Sequence, residues 1–222
     1  MSTDVAPPPV KPLLRGRLHQ CSFVASAIAC AVLTVVAATV AGSDAAVSTA
    51  VYGVTILGLF GVSALYHRRT WTVPRHRALM KRLDHSMIFL FIAGTYTPVS
   101  VLALPRPTAT WVLAVVWVGA LLGVVLTTAW PNAPSWVGVP IYIALGWVAV
   151  FVLPALLRGG GVAALVLLLA GGLLYTVGGV VYALRRPNPW PATFGYHEVF
   201  HAATVLAAAC HHIAIWMVVL PG

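Results

Sequence analysis

Charged side chains are scarce in this sequence of 222 residues: Asp, Glu, Lys and Arg together occupy 8% of the positions. An ordinary soluble domain carries about 25% charged residues. Hydrophobic residues occupy 60% of the positions, and a water-soluble fold of this size has too much surface for its volume to bury them all. The composition therefore excludes an ordinary soluble domain and predicts that the lipid bilayer is the solvent for most of the chain.

Cysteine is also scarce. The three Cys residues are odd in number, lie in or beside apolar stretches and form no C-x-x-C pair. This pattern gives no indication of a disulfide framework or of a thiolate metal site. We expect them to be small packing residues.

Long apolar stretches make up most of the chain. A helix needs about 20 apolar residues to cross the hydrocarbon core of a membrane. Seven stretches meet this requirement, and the candidate spans are 19–42, 46–67, 84–104, 110–130, 136–157, 161–184 and 197–220. We therefore predict an all-α integral membrane protein, with a seven-helix transmembrane bundle over 19–222. A Pro-rich tail over 1–18 precedes it and is expected to be disordered and cytoplasmic.

The positive charges are distributed unevenly. All but two of the 13 Lys and Arg residues lie in the tail or in the loops after the second and sixth spans, and the exceptions are Arg106 and Arg158. The positive-inside rule then places the N-terminus in the cytoplasm and, with an odd number of spans, the C-terminus outside. Cations placed in this way face anionic lipid headgroups. We expect a multi-pass protein of the plasma membrane that binds no nucleic acid, despite its net charge of +9.

Acidic residues are the scarcest charged group, with four in the whole chain. Asp84 and Glu198 lie where the third and seventh spans begin, on the predicted cytoplasmic side. An ionisable group at membrane depth is costly unless it is paired or ligates a metal, and it is therefore a candidate for function.

Three histidines are predicted at the same depth as Asp84. His67 ends the second span, four residues after Ser63 on the same helical face, and His197 and His201 begin the seventh span one turn apart. Three neutral imidazoles suit Zn²⁺, which takes nitrogen ligands in tetrahedral geometry. A catalytic zinc keeps its fourth position for water and a structural zinc fills it. The spacing leaves both possibilities open.

The other histidines are expected elsewhere. His19 begins the first span and His76 lies in the basic loop, so we predict that both face solvent or lipid headgroups. His211 lies about 15 Å further along the seventh helix than His201. That distance is too great for the same metal, although His211 could line a cavity.

One short pattern admits another interpretation. Residues 197–201 read H-E-V-F-H, and H-E-x-x-H is typical of metalloproteases in which the Glu acts as general base. Such an enzyme needs a further carboxylate ligand, for which Asp84 alone is available. Glu198 could equally be an interfacial residue that faces headgroups.

Taken in order, these residues resemble the hemolysin III branch of the progestin and adipoQ receptor superfamily. The matching stretches are Ser63-Ala-Leu-Tyr-His67, Leu83-Asp84-His85-Ser86 with Ile92-Ala-Gly-Thr-Tyr-Thr-Pro98, and His197-Glu-Val-Phe-His201 with His211 downstream. The resemblance implies seven spans and a cytoplasmic N-terminus. It also implies that His67, His197 and His201 bind zinc, with Asp84 and Ser63 in supporting roles around the metal and its water.

Three functions are compatible with these features. The first is a zinc-dependent hydrolase whose substrate, a lipid-like amide or ester, binds in an intramembrane cavity. Asp84 or Glu198 would be the general base, and Ser63 would donate a hydrogen bond to the water or oxyanion. The superfamily's likeness to alkaline ceramidases points the same way. The second is a non-enzymatic sensor or regulator of membrane state with a structural zinc. The third, implied by the family name, is a pore-forming cytolysin. Membrane lipids are the expected partners, and neither the substrate nor the oligomeric state follows from the sequence.

Overall fold

The computed structural model describes residues 11–220, and this part of the chain is helical almost throughout. Its elements are α1 (Arg17–Val40), α2 (Ser43–Arg68), α3 (Pro74–Ala103), α4 (Arg106–Ala129), α5 (Ser135–Gly146), a 3-10 helix (Trp147–Val152), α6 (Leu153–Leu184) and α7 (Tyr196–Val219). The prediction of an all-α membrane protein is confirmed. Within the described residues, six helical stretches are long and apolar enough to cross a membrane.

The stretch Ser135–Leu184 counts as one of these six, although its 50 residues contain α5, the 3-10 helix and α6. A straight helix of that length would measure about 75 Å. The chain folds back instead, because Gly161 has a φ of 76° inside α6, a conformation that glycine adopts without strain. As a result, Trp147 Nε1 donates a hydrogen bond to Thr176 Oγ1 at 2.9 Å. The two halves of the stretch therefore pack side by side.

α3 begins at Pro74, well before the predicted start at residue 84. The additional turns carry Arg75, Arg77, Lys81 and Arg82. Pro74 fits the first turn of a helix, where its missing N–H has no intrahelical acceptor. Hydropathy predicts the apolar part of a helix, and this helix continues beyond it into polar surroundings.

The predicted disordered tail is described only in part, because residues 1–10 lie outside the described residues. The remainder packs against the loop between α6 and α7. The Leu13 N–H donates to Ala192 O at 3.0 Å, and the Leu14 N–H donates to Thr193 O at 3.2 Å. The backbone of Leu13 and Leu14 therefore finds acceptors in a distant loop.

Consecutive helices pack against each other from α1 to α4 and again at α6 and α7, and α1 closes the bundle against α7. α3 is central and contacts α2, α4, α5, α6 and α7. α1 and α4 instead expose large apolar side chains, among them Ile28, Val35, Val118 and Leu122. An outer surface of this kind is suited to lipid. The C-terminal end of α2, which carries His67, lies beside the beginning of α7.

Candidate metal centre

Three histidines from two helices converge at one end of the bundle. His67 is the penultimate residue of α2, while His197 and His201 lie in the first two turns of α7. One ring nitrogen from each lies within 4.8 Å of the other two. The Nε2 atoms of His67 and His197 are 3.2 Å apart. The structure therefore brings together the three side chains that the sequence singled out, as a group that could hold a metal ion.

One nitrogen–nitrogen distance in this group matches that expected at a tetrahedral ion. Two Zn–N bonds of about 2.05 Å at the tetrahedral angle place their nitrogens about 3.3 Å apart, close to the 3.2 Å between the Nε2 atoms of His67 and His197. The ring planes are inclined to one another by 62° to 76°, so the rings meet edge to face and do not stack. Zn²⁺ accepts a donor set of nitrogens alone.

Asp84 and Ser63 lie beside the three histidines. Asp84 Oδ2 is 3.7 Å from His67 Nε2 and 3.8 Å from His85 Nδ1. Ser63 is buried one turn before His67 in α2, and both Ser63 and Asp84 line the same cavity. A carboxylate and a hydroxyl are thus available next to the imidazole nitrogens.

This cavity runs from the histidines into the bundle, between walls from every helix except α4. Its volume, including its open side, is about 1160 Å³. His211 lines its deep end, as predicted, and Tyr175 lies beside it. His211 Nε2 donates to Leu168 O at 3.1 Å. The cavity is therefore apolar along its length and polar at its two ends.

The prediction that His19 faces solvent or headgroups was wrong. The side chain is 2% exposed, and its ring stacks on His201 with centroids 3.7 Å apart and planes inclined by 11°. Its two ring nitrogens have no hydrogen-bond partner among residues 11–220. The packing of α1 against α7 produces this contact, and no local sequence pattern indicates it. His76 is exposed, as predicted.

The side chain of Glu198 is buried, and its carboxylate contacts groups that are not part of the histidine cluster. It is 1% exposed, its Oε1 is ion-paired with Arg15 Nε, and its Oε2 accepts the Gly195 N–H at 2.8 Å. The interpretation that Glu198 faces headgroups was therefore wrong. Because both carboxylate oxygens already have partners, Arg15 Nε and the Gly195 N–H, the metalloprotease interpretation loses its general base. Arg15 lies 183 residues from Glu198, which is why sequence reasoning missed this pair.

Comparison with known proteins gives consistent matches. The family model described as "Haemolysin-III related" matches residues 9–212. Hemolysin-3 of Bacillus cereus is 31% identical over 182 residues, which cover 81% of this chain and 78% of that protein. The Hemolysin-3 homolog of Bacillus subtilis (strain 168) is 32% identical over 159 residues, 70% of each chain. The human Monocyte to macrophage differentiation factor is 26% identical over 169 residues, 75% of this chain and 68% of that protein.

Proposed function

This chain belongs to the haemolysin-III-related family, and we propose that it is a zinc-dependent hydrolase of a lipid-like amide or ester. The metal ligands in this proposal are His67, His197 and His201. The observation that carries it is the convergence of three imidazole nitrogens within 4.8 Å of one another, next to Asp84 at the end of an apolar cavity.

The proposed topology has seven crossings, with the N-terminus in the cytoplasm and the metal centre near the cytoplasmic face of the plasma membrane. The reversal at Gly161 supports two crossings for the stretch Ser135–Leu184. The loops after α2 and α6 are rich in Arg and Lys, whereas Arg106 and Arg158 are the cations expected on the other side.

Zn²⁺ at this centre would supply Lewis acidity, polarising a substrate carbonyl and making a water easier to deprotonate. Asp84 Oδ2 accepts the proton of the attacking water and delivers it to the leaving amine or alkoxide. The water oxygen bonds to the acyl carbon as the C–N or C–O bond breaks, so the products are a fatty acid and an amine or alcohol. Ser63 Oγ donates a hydrogen bond to the water or to the carbonyl oxygen. The apolar walls hold the acyl chain.

A non-enzymatic role is the second candidate, because the same three histidines join the end of α2 to the beginning of α7. A structural zinc there would hold the two helices together without turnover. The cavity would then be a lipid-binding site through which the protein senses or regulates the state of the membrane.

Elemental analysis of the purified full-length chain tests both candidates. We expect about one zinc per chain, and a His67→Ala variant should lose most of it because a third of the ligand set is gone. His76→Ala is the matched control, because His76 is exposed and is not one of the three proposed metal ligands. Absence of metal from the wild-type chain would refute both candidates.

Release of fatty acid from a panel of acylated lipids separates the two. Asp84→Asn should keep its zinc and lose turnover by about 100-fold to 10⁴-fold, the usual contribution of a general base. Unchanged turnover in this variant would remove Asp84 from the mechanism. A zinc-loaded chain that releases no fatty acid from any lipid would favour the structural zinc. The pore-forming alternative has its own test, the release of dye from vesicles by the purified protein.

A further inference from the structure

A second concave site, the basic cleft, adjoins the metal-centre cavity. Lys81, Arg82 and Arg185 line it, and among the described residues its walls contain no Asp or Glu. α3, the loop between α4 and α5, and the junction of α6 with α7 enclose it. Three cations around one space repel each other unless an anion lies between them.

Among residues 11–220, the cations of the basic cleft form no ion pair. Arg82 Nε is buried and has no hydrogen-bond partner within residues 11–220. Lys81 Nζ donates to the neutral side chain of Asn132, at 3.2 Å from Oδ1. A buried guanidinium N–H without an acceptor costs free energy, and an anion in the cleft would offset the unpaired charges of Lys81 and Arg82.

The first turn of α5 opens into the same cleft. Ser135 and Gly138 line the cleft, and α5 begins after Pro134 without a side-chain cap. The first N–H groups of a helix have no intrahelical acceptor and carry a partial positive charge. The backbone therefore adds to the preference of Lys81, Arg82 and Arg185 for an anion.

The basic cleft and the cavity share a wall. His85, Val139, Tyr142 and Tyr182 line both. The cleft and the cavity are therefore adjacent, and Asp84 lies on the cavity side of the shared wall.

We propose that the basic cleft binds the phosphate group of a membrane phospholipid whose acyl chain enters the metal-centre cavity. A phosphate offers several acceptor oxygens to guanidinium and ammonium groups and to backbone N–H groups, all of which the cleft provides. The cavity provides an apolar environment for the chain. That this phospholipid is also the substrate rests on the proposed function, whereas its binding in the cleft does not.

Calorimetric titration of the purified full-length chain in a non-ionic detergent tests the site with three probes. These are dihexanoyl phosphatidylglycerol, dihexanoylglycerol, which lacks the phosphate, and inorganic phosphate. We expect phosphatidylglycerol to bind at least about tenfold more tightly than either other probe, because it alone fills both the cleft and the cavity.

Two variants remove one cation each. Arg82→Gln and Arg185→Asn should each weaken phosphatidylglycerol binding by about tenfold, the loss expected for one charge-assisted contact. Asn suits position 185, whose φ is 55°, because it tolerates the left-handed conformation. The control variant Arg75→Gln removes an exposed charge that lies on α3, as Arg82 does, but outside the cleft. It should bind phosphatidylglycerol as tightly as the wild type does.

Unchanged binding in both Arg82→Gln and Arg185→Asn would overturn the site. Equal affinity for dihexanoylglycerol would show that the phosphate is not recognised, and equal affinity for inorganic phosphate would remove the lipid from the assignment. A chain that binds phosphatidylglycerol as expected but contains no zinc, or releases no fatty acid, would contradict the proposed function and support the phosphate site.

Discussion

Replacing Glu198 by Gln distinguishes a structural carboxylate from a general base. Glu198 is 1% exposed and its partner Arg15 is 20% exposed. Gln keeps a carbonyl oxygen that can accept the Gly195 N–H but loses the negative charge that faces Arg15. A hydrogen bond to a charged group contributes about 1.5–3 kcal/mol, and removing one partner of a fully buried ion pair costs about 3–5 kcal/mol. Because Arg15 can recover some hydration, we expect a loss of about 2 kcal/mol in the free energy of unfolding.

A double-mutant cycle measures this interaction. The wild-type chain, Glu198→Gln, Arg15→Gln and the double variant are unfolded in mixed micelles with increasing denaturing detergent, and the transition is followed by tryptophan fluorescence. We expect a coupling free energy of at least about 1 kcal/mol, as found for residues in direct contact. Arg17→Gln is the matched control, because Arg17 is in the same segment and its side chain bonds to the exposed Gln20.

Two results would refute the reasoning. Additive effects of Glu198→Gln and Arg15→Gln would mean that the ion pair does not stabilise the fold. A Glu198→Gln variant that keeps its stability and its zinc but loses turnover by about 100-fold or more would identify Glu198 as the general base. The metalloprotease interpretation of the H-E-x-x-H pattern would then be restored.

Two further substitutions test the packing around the cavity. Tyr96→Phe should lower the free energy of unfolding by about 1–3 kcal/mol, because the Tyr96 hydroxyl donates to Gly146 O at 2.6 Å and accepts the Ala149 N–H at 2.7 Å; an unchanged unfolding midpoint in detergent would contradict this. His19→Phe should keep both stability and zinc content, since it preserves a ring stacked on His201 and removes two nitrogens that lack partners within residues 11–220. Loss of zinc from this variant would show that His19 contributes to the metal centre.

Most helices of this fold could be predicted from the sequence because they contain an apolar stretch of the length that a membrane requires. The predicted span 136–157 is the exception, because the structure divides it among α5, the 3-10 helix and the beginning of α6. For α4, the predicted span 110–130 compares with an observed helix at Arg106–Ala129. The prediction was less accurate for α3, because its basic first turns lie outside the apolar part. The kink at Gly161 coincides with the predicted start of the span 161–184, and the division of Ser135–Leu184 into two crossings stays a prediction.

The histidine cluster could also be predicted, because the charge bias assigns a common depth to the end of α2 and the beginning of α7. The contacts of His19 with His201 and of Arg15 with Glu198 could not be predicted from the sequence. They depend on which helices are neighbours, and α1 packs against α7 although the two are at opposite ends of the chain. The periodicity of apolar residues within one helix does not show which other helices pack against it.

Glu198 and Asp84 show why a local sequence pattern can assign a role to the wrong carboxylate. Successive side chains on a helix point about 100° apart, so Glu198 and His197 face different neighbours even though they are adjacent in the sequence. Glu198 meets Arg15 of the N-terminal segment, whereas the carboxylate that faces His67 is Asp84 of α3. The five-residue pattern therefore contains two of the three converging imidazoles, but the carboxylate beside His67 comes from a different helix.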